Sequence, residues 1–411
     1  MIFVIYQILI SLIILISPII IIVRIIKNKE DKKRFLEKFS ITKEKSFEKD
    51  IIWFHAASVG EFISIISIIK YFEKKKEIKK ILITTNTLSS SKIVKQLKLK
   101  KIIHQFYPID HNIITIKFLN HWKPKIAFFL ESEIWPSMFL QLYKKKIPLV
   151  LLNARLTKKS FNRWMYVENF AKKIFALIKH VYPQNKETKD FLKKLNIREY
   201  KQIGNLKYID YNFDEKTSFR SQILKKLKKY KIWVAASTHP GEEYLAAKTH
   251  ILLKQKHKNL ITIIIPRHMH DIKNIVEKLK NLNLKVVRHS FKKKNITNID
   301  IYIVDTFGES KYFYEISPTV FLGKSIFHNG GQNPLEAARL GCNILHGPNI
   351  ENFKDVYKHL KDLKISKKIN SIDALASNIK FKKNYSNSIR MKSISQKIYK
   401  ETLNELNHLI K

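Results

Sequence analysis

The chain has 411 residues, of which 45% are hydrophobic and 27% charged, so it can form two domains with buried cores and is not a disordered protein. Its one cysteine, Cys342, excludes an intrachain disulfide and is typical of a reducing compartment. The formal charge of +44 indicates attraction to an anionic partner, either a nucleic acid or a lipid surface.

The lysines are scattered through every segment and are accompanied by an excess of isoleucine and asparagine. This pattern indicates a compositional bias of the whole chain and favours an anionic lipid surface over a nucleic acid. We therefore expect no nucleic-acid partner. A basic nucleic-acid-binding protein remains the alternative from a different functional class, and it predicts tight, steeply salt-dependent binding to DNA or RNA.

The first predicted element is an apolar helix over residues 1–26. No charged side chain occurs between Met1 and Val23, and this stretch is long enough to span the hydrocarbon core of a membrane. Basic residues follow the apolar run instead of preceding it, which favours an uncleaved anchor over a signal peptide, with the rest of the chain in the cytoplasm: Arg24, Lys27, Lys29, Lys32, Lys33 and Arg34. A helix that lies in the membrane interface remains the alternative.

After a charged link over residues 27–50, the next segment contains a glutamate that directly follows a glycine, between two apolar runs. In IIWFHAASVGEF, the apolar run IIWF predicts a buried strand and FISIISIIKYF predicts a helix, with Ser58 or Gly60 in the turn between them. Glu61 would lie in the first turn of that helix. It is either a charge that the helix dipole favours or a functional carboxylate.

Strand-like and helix-like segments alternate along the rest of the chain, which predicts an α/β fold with parallel sheets covered by helices on both faces. The strands are expected in two series: IIWFHAA, ILITTN, IAFFLESE and IPLVLLNARL, then KIWVAAST, NLITIIIP, LKVVRHS, IYIVDT, TVFLG and CNILHG. IIWFHAASVGE and KIWVAASTHPGE resemble each other, which indicates two similar halves. We assign residues 27–215 to an N-terminal domain and 216–411 to a C-terminal domain, joined in the Lys-rich segment around 211–230.

The stretch TVFLGKSIFHNGGQNPLEAARLGCNILHGP predicts a strand, a glycine-containing loop, a helix and a second strand. Pro334 suits the first turn of this helix and Gly341 its C-terminal end. Gly330 and Gly331 would allow backbone N–H groups to approach a ligand, and the helix start would favour an anion such as a phosphate. Glu336 is then placed to accept hydrogen bonds from ribose hydroxyls.

Several of these motifs together resemble the 3-deoxy-D-manno-octulosonic acid (Kdo) transferases of lipopolysaccharide synthesis. The resemblance covers roughly residues 1–360 and depends on segments that occur in the family's order: HAASVGEF, FLESEIWP, LLNARL, GNLKY, AASTHPGEE, IPRH, DTFGE and GGQNPLEAARLGCNILHGPNIENFKD. Ser132 and Ser137 depart from the pattern, where threonine and asparagine are expected. The resemblance implies an inner-membrane glycosyltransferase of the GT-B fold, with two Rossmann-like domains facing a cleft.

The resemblance also implies roles for individual residues. Glu61 would be the general base that deprotonates the acceptor hydroxyl, and Glu131 and Lys207 would stabilise the transition state. The cytidine monophosphate (CMP) part of the donor, CMP-Kdo, would be held by Pro266, Arg267, Phe307, Gly308, Glu309, Asn333, Pro334, Leu335 and Glu336. The acceptor would be a lipid A precursor, lipid IVA, at the cytoplasmic face of the inner membrane.

No metal ion or other cofactor is expected, because CMP carries one phosphate and the chain contains no D-x-D triplet. Two pairs, Glu131 with Glu133 and His268 with His270, would each share one face of a strand, but neither supplies three converging ligands. No protein partner is predicted. The alternative enzyme is another membrane-associated GT-B glycosyltransferase that uses a UDP-sugar.

Overall fold

A computed structural model describes residues 1–45, 51–197, 199–210, 222–291 and 296–410. The chain divides into two units: Met1–Asp214 with Ser395–Lys411 form the first, and Glu215–Ile394 form the second. The predicted join around residues 211–230 lies in part outside the described residues, since the description resumes at Gln222.

The first unit contains a six-stranded parallel sheet. Its strands are β1 (Ile51–His55), β2 (Lys80–Thr85), β3 (Ile102–Phe106), β4 (Ile126–Leu130), β5 (Leu149–Ala154) and β6 (His180–Pro183). Their order across the sheet is β3-β2-β1-β4-β5-β6. Every residue of the three central strands β1, β4 and β5 is buried, as expected for a parallel sheet covered on both faces.

Eight α-helices and two 3-10 helices of this unit are described. The α-helices are α1 (Ile2–Ile26), α2 (Val59–Glu73), α3 (Leu88–Gln96), α4 (Asn112–Trp122), α5 (Pro136–Lys144), α6 (Lys158–Met165), α7 (Glu168–Phe175) and α8 (Lys186–Lys194). The 3-10 helices are Phe35–Phe39 and Leu206–Tyr208. The predicted N-terminal apolar helix is thus present as α1, and its length and composition would allow it to cross a membrane.

The second unit contains a seven-stranded parallel sheet in the order β13-β12-β11-β7-β8-β10-β9. These strands are β7 (Lys231–Thr238), β8 (Leu260–Pro266), β9 (Val286–Arg288), β10 (Ile301–Ile303), β11 (Thr319–Leu322), β12 (Asn343–His346) and β13 (Ser366–Lys368). The α-helices are α9 (Gln222–Leu227), α10 (Glu242–Lys256), α11 (Ile272–Lys280), α12 (Ser310–Ile316), α13 (Leu335–Arg339), α14 (Lys354–Asp362), α15 (Ile372–Asn378) and α16 (Tyr385–Ile410). The 3-10 helices are Met269–Asp271, His289–Phe291 and Glu351–Phe353.

Both sheets reverse their strand order in the middle, which creates a crevice at the carboxyl ends of two central strands. In the first unit this switch point lies between β1 and β4, and in the second it lies between β7 and β11. The α/β class, the two Rossmann-like units and the similarity of the two halves are confirmed. The positions that follow β1, β4, β7 and β11 are therefore the expected binding positions.

The segment after α1 is more than a charged link. Glu30 and Glu37 are both buried, and Glu37 accepts a hydrogen bond of 2.9 Å from the backbone N–H of Phe106 at the end of β3. Lys38 contributes its carbonyl oxygen to the N–H of Ile109, also at 2.9 Å. Residues 27–45 therefore pack on the first unit; residues 46–50 lie outside the described residues.

The assignment of all of residues 216–411 to the C-terminal domain is wrong for the end of α16. Residues Ser395–Lys411 group with the first unit, because apolar side chains at helical spacing are buried there: Ile398, Leu403, Leu406 and Ile410. The hydroxyl of Ser395 accepts from the N–H of Asp210 at 3.1 Å, and Glu405 pairs with Lys201 at 2.6 Å. The end of the chain thus covers part of the first unit.

Candidate active site

Glu61 lies at the switch point of the first sheet, in the first turn of α2. Ser58 caps this helix, with its hydroxyl accepting a hydrogen bond from the N–H of Glu61 at 3.3 Å. The carboxylate of Glu61 in turn accepts from the N–H of Ala57 at 2.8 Å and from the hydroxyl of Ser58 at 2.8 Å. These reciprocal bonds form a variant of a capping box and fix the direction of the carboxylate. Each carboxylate oxygen keeps further acceptor capacity.

The ionisation of Glu61 differs from that of an ordinary helix-capping glutamate. Burial raises its pKa from 4.5 to about 7, and the charges of Glu131 and Glu133 add to this increase. The hydrogen bonds from Ser58 and Ala57 act in the opposite direction and offset only part of it. Desolvation and two neighbouring carboxylates therefore outweigh the helix dipole, which by itself would favour the ionised form. A carboxylate with this pKa can exchange a proton near neutral pH.

Glu131 and Lys207, which the resemblance expects to stabilise the transition state, form a close ion pair. The Lys207 Nζ lies 2.6 Å from Glu131 Oε1, and both side chains are largely buried. Glu131 directly follows β4 and has a φ of +52°, a left-handed conformation that is uncommon outside glycine and concentrates at functional sites. The ion pair thus joins the switch point to the 3-10 helix Leu206–Tyr208.

Asn153 holds this pair from a third segment and was not identified from the sequence. Asn153 lies near the end of β5 and, like Glu131, has a left-handed backbone conformation, with a φ of +52°. Its side-chain N–H donates to Glu131 Oε1 at 3.4 Å, and its side-chain oxygen accepts from the N–H of Leu206 at 3.0 Å. The motif LLNARL contains this asparagine, so its polar character at the end of an apolar strand was the available signal.

Glu133 has a different environment from Glu131. Its Oε2 atom lies 3.2 Å from Nε2 of the fully buried His55 and accepts from the indole N–H of Trp135 at 2.9 Å. His55 also contacts the hydroxyl of Thr84 at 2.9 Å and stacks on Tyr107. Glu133 is therefore engaged in a structural network, while its charge still acts on Glu61.

The residues expected to hold the donor all lie in the second unit, at the carboxyl edge of its sheet. Pro266 ends β8, and the exposed Arg267 follows it, with its N–H bonded to the carbonyl of Thr238 at the end of β7. Phe307 is 79% exposed, and Gly308 has a φ of +81° with open space where a Cβ would lie. Glu309 precedes α12 and lies 3.1 Å from Nε2 of His289.

Asn333, Pro334, Leu335 and Glu336 follow β11 and begin α13. The side chain of Asn333 accepts from the N–H of Leu335 at 3.1 Å just before the helix, and Pro334 and Leu335 are buried. Glu336 lies near Tyr314 of α12, whose pKa rises through burial and, to a smaller extent, through this neighbouring charge. The segments around residues 307 and 333, both expected to hold the donor, are thus linked by the contact between α12 and α13.

Two features bear on the expected ligand contacts of the glycine-containing loop. The helix α13 has only five residues, so fewer peptide dipoles add at its start than in a longer helix. Gly330 and Gly331 do have positive φ angles, of 113° and 67°, but their N–H groups are bonded within the unit. The N–H of Gly330 donates to Glu351 at 2.7 Å and that of Gly331 to the carbonyl of Lys324 at 2.9 Å. Gly341, with a φ of 77°, ends α13 as predicted.

Glu242, which the sequence analysis did not single out, holds the loop after β11 in place. This fully buried carboxylate accepts from the N–H groups of Lys324 at 2.7 Å, Ser325 at 3.0 Å and Ile326 at 3.2 Å. It also accepts from the N–H of His239, at 3.0 Å. Glu242 therefore joins the two loops that flank the switch point of the second sheet.

Four histidines lie along the same edge of the second sheet. The ring of His239 is 5.1 Å from that of His268 and 5.4 Å from that of His328, and His270 lies 5.6 Å from His268. Burial lowers the pKa of His239. Across the described parts of both units, no group of three or more histidine, cysteine or carboxylate side chains has the geometry to hold a metal ion.

Comparison with known proteins identifies relatives along most of the chain. Residues 33–209 match the family model described as 3-deoxy-D-manno-octulosonic-acid transferase (kdotransferase). The chain is 32% identical to the 3-deoxy-D-manno-octulosonic acid transferase of Rickettsia bellii over 379 residues, which are 92% of this chain and 90% of that protein. It is 30% identical to the transferase of the same name from Haemophilus influenzae, over 79% of this chain and 77% of that protein.

A solved structure supports the architecture. A putative UDP-N-acetylglucosamine 2-epimerase from Listeria monocytogenes is similar with a TM-score of 0.51 and 12% sequence identity, over 86% of this chain and 91% of that one. At this identity the likeness concerns the fold alone. It agrees with two α/β units of the GT-B type.

The clamp formed by Glu242 generates a prediction about loop order. Glu242→Gln replaces one of two accepting oxygens by an amide that cannot accept, so at least one buried N–H loses its partner, at a cost of about 1–3 kcal/mol. We expect a lower thermal midpoint and faster hydrogen exchange at Lys324–Ile326. Glu277→Gln, at an exposed position of α11, is the control and should change stability by under about 0.5 kcal/mol. Unchanged exchange in Glu242→Gln would contradict the clamp.

Proposed function

Because the chain belongs to the 3-deoxy-D-manno-octulosonic acid transferase family, we propose that it transfers Kdo from CMP-Kdo to a lipid A precursor, lipid IVA, in lipopolysaccharide synthesis. The acceptor hydroxyl oxygen attacks the anomeric carbon of the sugar. The bond between that carbon and the phosphate oxygen breaks, and CMP departs with the electron pair. The hydroxyl proton passes to a general base.

Glu61 is the base in this proposal. Its pKa of about 7 matches the task, because a base is most effective when its pKa is near the working pH. The bonds from Ala57 and Ser58 hold the carboxylate in one orientation, and its remaining lone pairs are available to the acceptor hydroxyl. This combination of fixed position and raised pKa is the observation that supports Glu61 most strongly.

Glu131 and Lys207 act as a pair in the same proposal. The sugar gains positive charge as its bond to phosphate breaks, and a carboxylate held near the reaction stabilises that charge. The ammonium of Lys207 fixes Glu131 at 2.6 Å, and Asn153 orients the pair. Three carboxylates, those of Glu61, Glu131 and Glu133, lie near one another, and one lysine is paired closely with Glu131. This excess of acidic groups would stabilise positive charge that develops on the substrate.

CMP binds to the second unit in this proposal. The guanidinium of Arg267 is the group best suited to the phosphate, because it is exposed and its attraction to the phosphate strengthens as negative charge develops on the leaving group. Glu309 and Glu336 are the candidate acceptors for ribose hydroxyls, and Phe307 provides an exposed aromatic ring for the base. No step requires a metal ion, because Arg267 can balance the charge of one phosphate.

The apolar helix α1 supports attachment to the inner membrane. Its side chains are largely exposed, and a lipid acceptor resides in such a membrane. The basic residues that follow the helix would be attracted to the anionic lipids of the cytoplasmic face and would keep the catalytic units on that side. No nucleic-acid or protein partner is part of the proposal.

A donor panel tests the proposed reaction. Purified full-length protein should convert tetraacyl lipid IVA to a product heavier by one or more Kdo units with CMP-Kdo, as read by mass spectrometry, and a chelator should leave the yield unchanged. Turnover with a UDP-sugar and none with CMP-Kdo would replace this proposal by the alternative GT-B transferase. Loss of transfer on chelation, restored by a divalent cation, would contradict the metal-free step.

The raised pKa of Glu61 predicts the pH dependence of transfer. The base works only when deprotonated, so the single-turnover rate should rise about tenfold per pH unit below about pH 7 and level off above it. Glu133→Gln removes one of the charges that raise this pKa, so the inflection should move to lower pH. Lys98→Gln is the control, because Lys98 is exposed and is not among the groups that shift the pKa of Glu61; it should leave the inflection unchanged. If Glu133→Gln does not move the inflection, the pH dependence of transfer does not report the ionisation of Glu61.

A further inference from the structure

The helix α1 is attached to the first unit near its beginning. The hydroxyl of Tyr6 donates to Asp110 Oδ2 at 2.7 Å, and the amide of Gln7 donates to the hydroxyl of Ser137 at 2.7 Å. The side-chain amide oxygen of Gln7, Oε1, also accepts from the N–H of Asn112, at 3.0 Å. These three bonds join the first two turns of α1 to the starts of α4 and α5, and we name them the latch.

The chain after α1 returns to the same place. Lys38 bonds through its carbonyl to the N–H of Ile109, the residue next to Asp110. Tyr6 and Lys38 are separated by most of a 25-residue helix, about 37 Å long, yet they contact neighbouring residues of the unit. The helix therefore lies along the first unit and does not extend away from it.

One stripe of α1 faces the unit along its whole length. The partly or fully buried positions recur at intervals of three and four residues: Phe3, Gln7, Ile10, Ile14, Ser17, Ile21 and Arg24. Such spacing places them on one side of a helix. Tyr6 and Gln7 bond to the unit, and the hydroxyl of the buried Ser17 donates to the carbonyl of Ile14 within the helix.

The opposite side of α1 is apolar and exposed. Its large exposed side chains are Val4, Ile5, Ile8, Leu9, Leu12, Ile13, Leu15, Ile16, Ile19, Ile20, Ile22, Val23 and Ile26. A continuous apolar surface of this length indicates a binding partner. Exposed lysines follow directly at Lys27, Lys29, Lys32 and Lys33, and they complement an anionic lipid surface.

A membrane-crossing helix is incompatible with the latch. In a helix that spans, Tyr6 and Gln7 would lie near the far side of a hydrocarbon core about 30 Å thick, while Asp110 remains in a folded domain on the near side. Separation would also remove a donor from Asp110, a carboxylate that is only 2% exposed.

We infer that α1 is an in-plane anchor: it lies along the first unit at the surface of an anionic phospholipid bilayer, with its exposed apolar side in the lipid and both of its ends on one side of the membrane. This arrangement differs from the spanning helix expected from length and composition. The inference rests on the membrane attachment proposed above and not on the sugar transferred, so its tests measure depth in lipid and not turnover.

Three spin-labelled variants of the full-length protein test the orientation. Ile5→Cys, Leu12→Cys and Ile19→Cys lie on the exposed side, at intervals of seven residues or about 10 Å along the axis. The native Cys342 is fully buried and does not compete for the label. Depth is measured by the accessibility of each nitroxide to oxygen and to a water-soluble nickel complex, in vesicles of phosphatidylethanolamine and phosphatidylglycerol. Lys29→Cys is the aqueous reference.

An in-plane anchor predicts that the three labels lie at the same depth, about 5–10 Å into the headgroup and acyl boundary. A spanning helix would place the label at position 12 deeper than the other two by about 10 Å, and this result would overturn the inference. If the labels instead stay outside the lipid and their spectra show dipolar broadening, the exposed side of α1 contacts a second copy of the chain. This result would also overturn the inference.

A second variant tests the latch itself. Tyr6→Phe combined with Gln7→Leu removes the polar bonds and keeps similar side-chain volumes, so the helix should become free to cross the bilayer. We expect the label at position 12 to move deeper than those at 5 and 19. Ser11→Ala, which removes a longer contact of 3.3 Å to His111 at an exposed position, is the matched control and should retain equal depths. Equal depths in the double variant would contradict the role of the latch.

Discussion

The burial of one carboxylate beside two others is the interaction on which the proposed chemistry depends. Glu61 is held by a backbone amide and a hydroxyl at the start of α2, and this geometry alone would favour its ionised form. Desolvation and the charges of Glu131 and Glu133 outweigh that preference and bring its pKa near neutrality. This proximity is possible because β1 and β4 are adjacent parallel strands, so the segments that follow them lie side by side at the same edge of the sheet.

In the second unit, the glutamate at the position corresponding to Glu61 is Glu242, and it has a structural role. An Ala-Ala-Ser segment lies at the carboxyl end of both strands, directly after β1 and within the last residues of β7, and a glutamate lies in the first turn of the next helix in each case. Glu242 accepts from four backbone N–H groups and is fully buried, so its acceptor capacity is used within the unit. Glu61 accepts from one N–H and one hydroxyl and is partly exposed. A repeated turn can therefore supply a structural clamp in one unit and an available base in the other.

The central strands could be predicted from the sequence because they are continuous apolar runs, as in IIWF and IAFFL. The strands β3, β6 and β13 were not predicted; each lies at a sheet edge, where short or polar segments such as SKK are tolerated, whereas the edge strand β9 was predicted from LKVVRHS. The return of α16 to the first unit was also missed, since a helical period does not reveal which surface the helix covers. The roles of Glu131 and Lys207 came from family resemblance, because nothing in a chain this rich in lysine distinguishes Lys207, and their contact was not predicted.

The most direct test of Glu61 as the base is the single-turnover rate of Glu61→Gln, measured with CMP-Kdo affinity and thermal unfolding on the same preparation. Glutamine keeps the size of the side chain and most of its contacts but cannot take up the proton. The variant should fold, bind the donor with nearly normal affinity and transfer about 10²–10⁴-fold more slowly than the wild type. A folded variant that binds the donor and retains more than about a tenth of the wild-type rate would contradict the account.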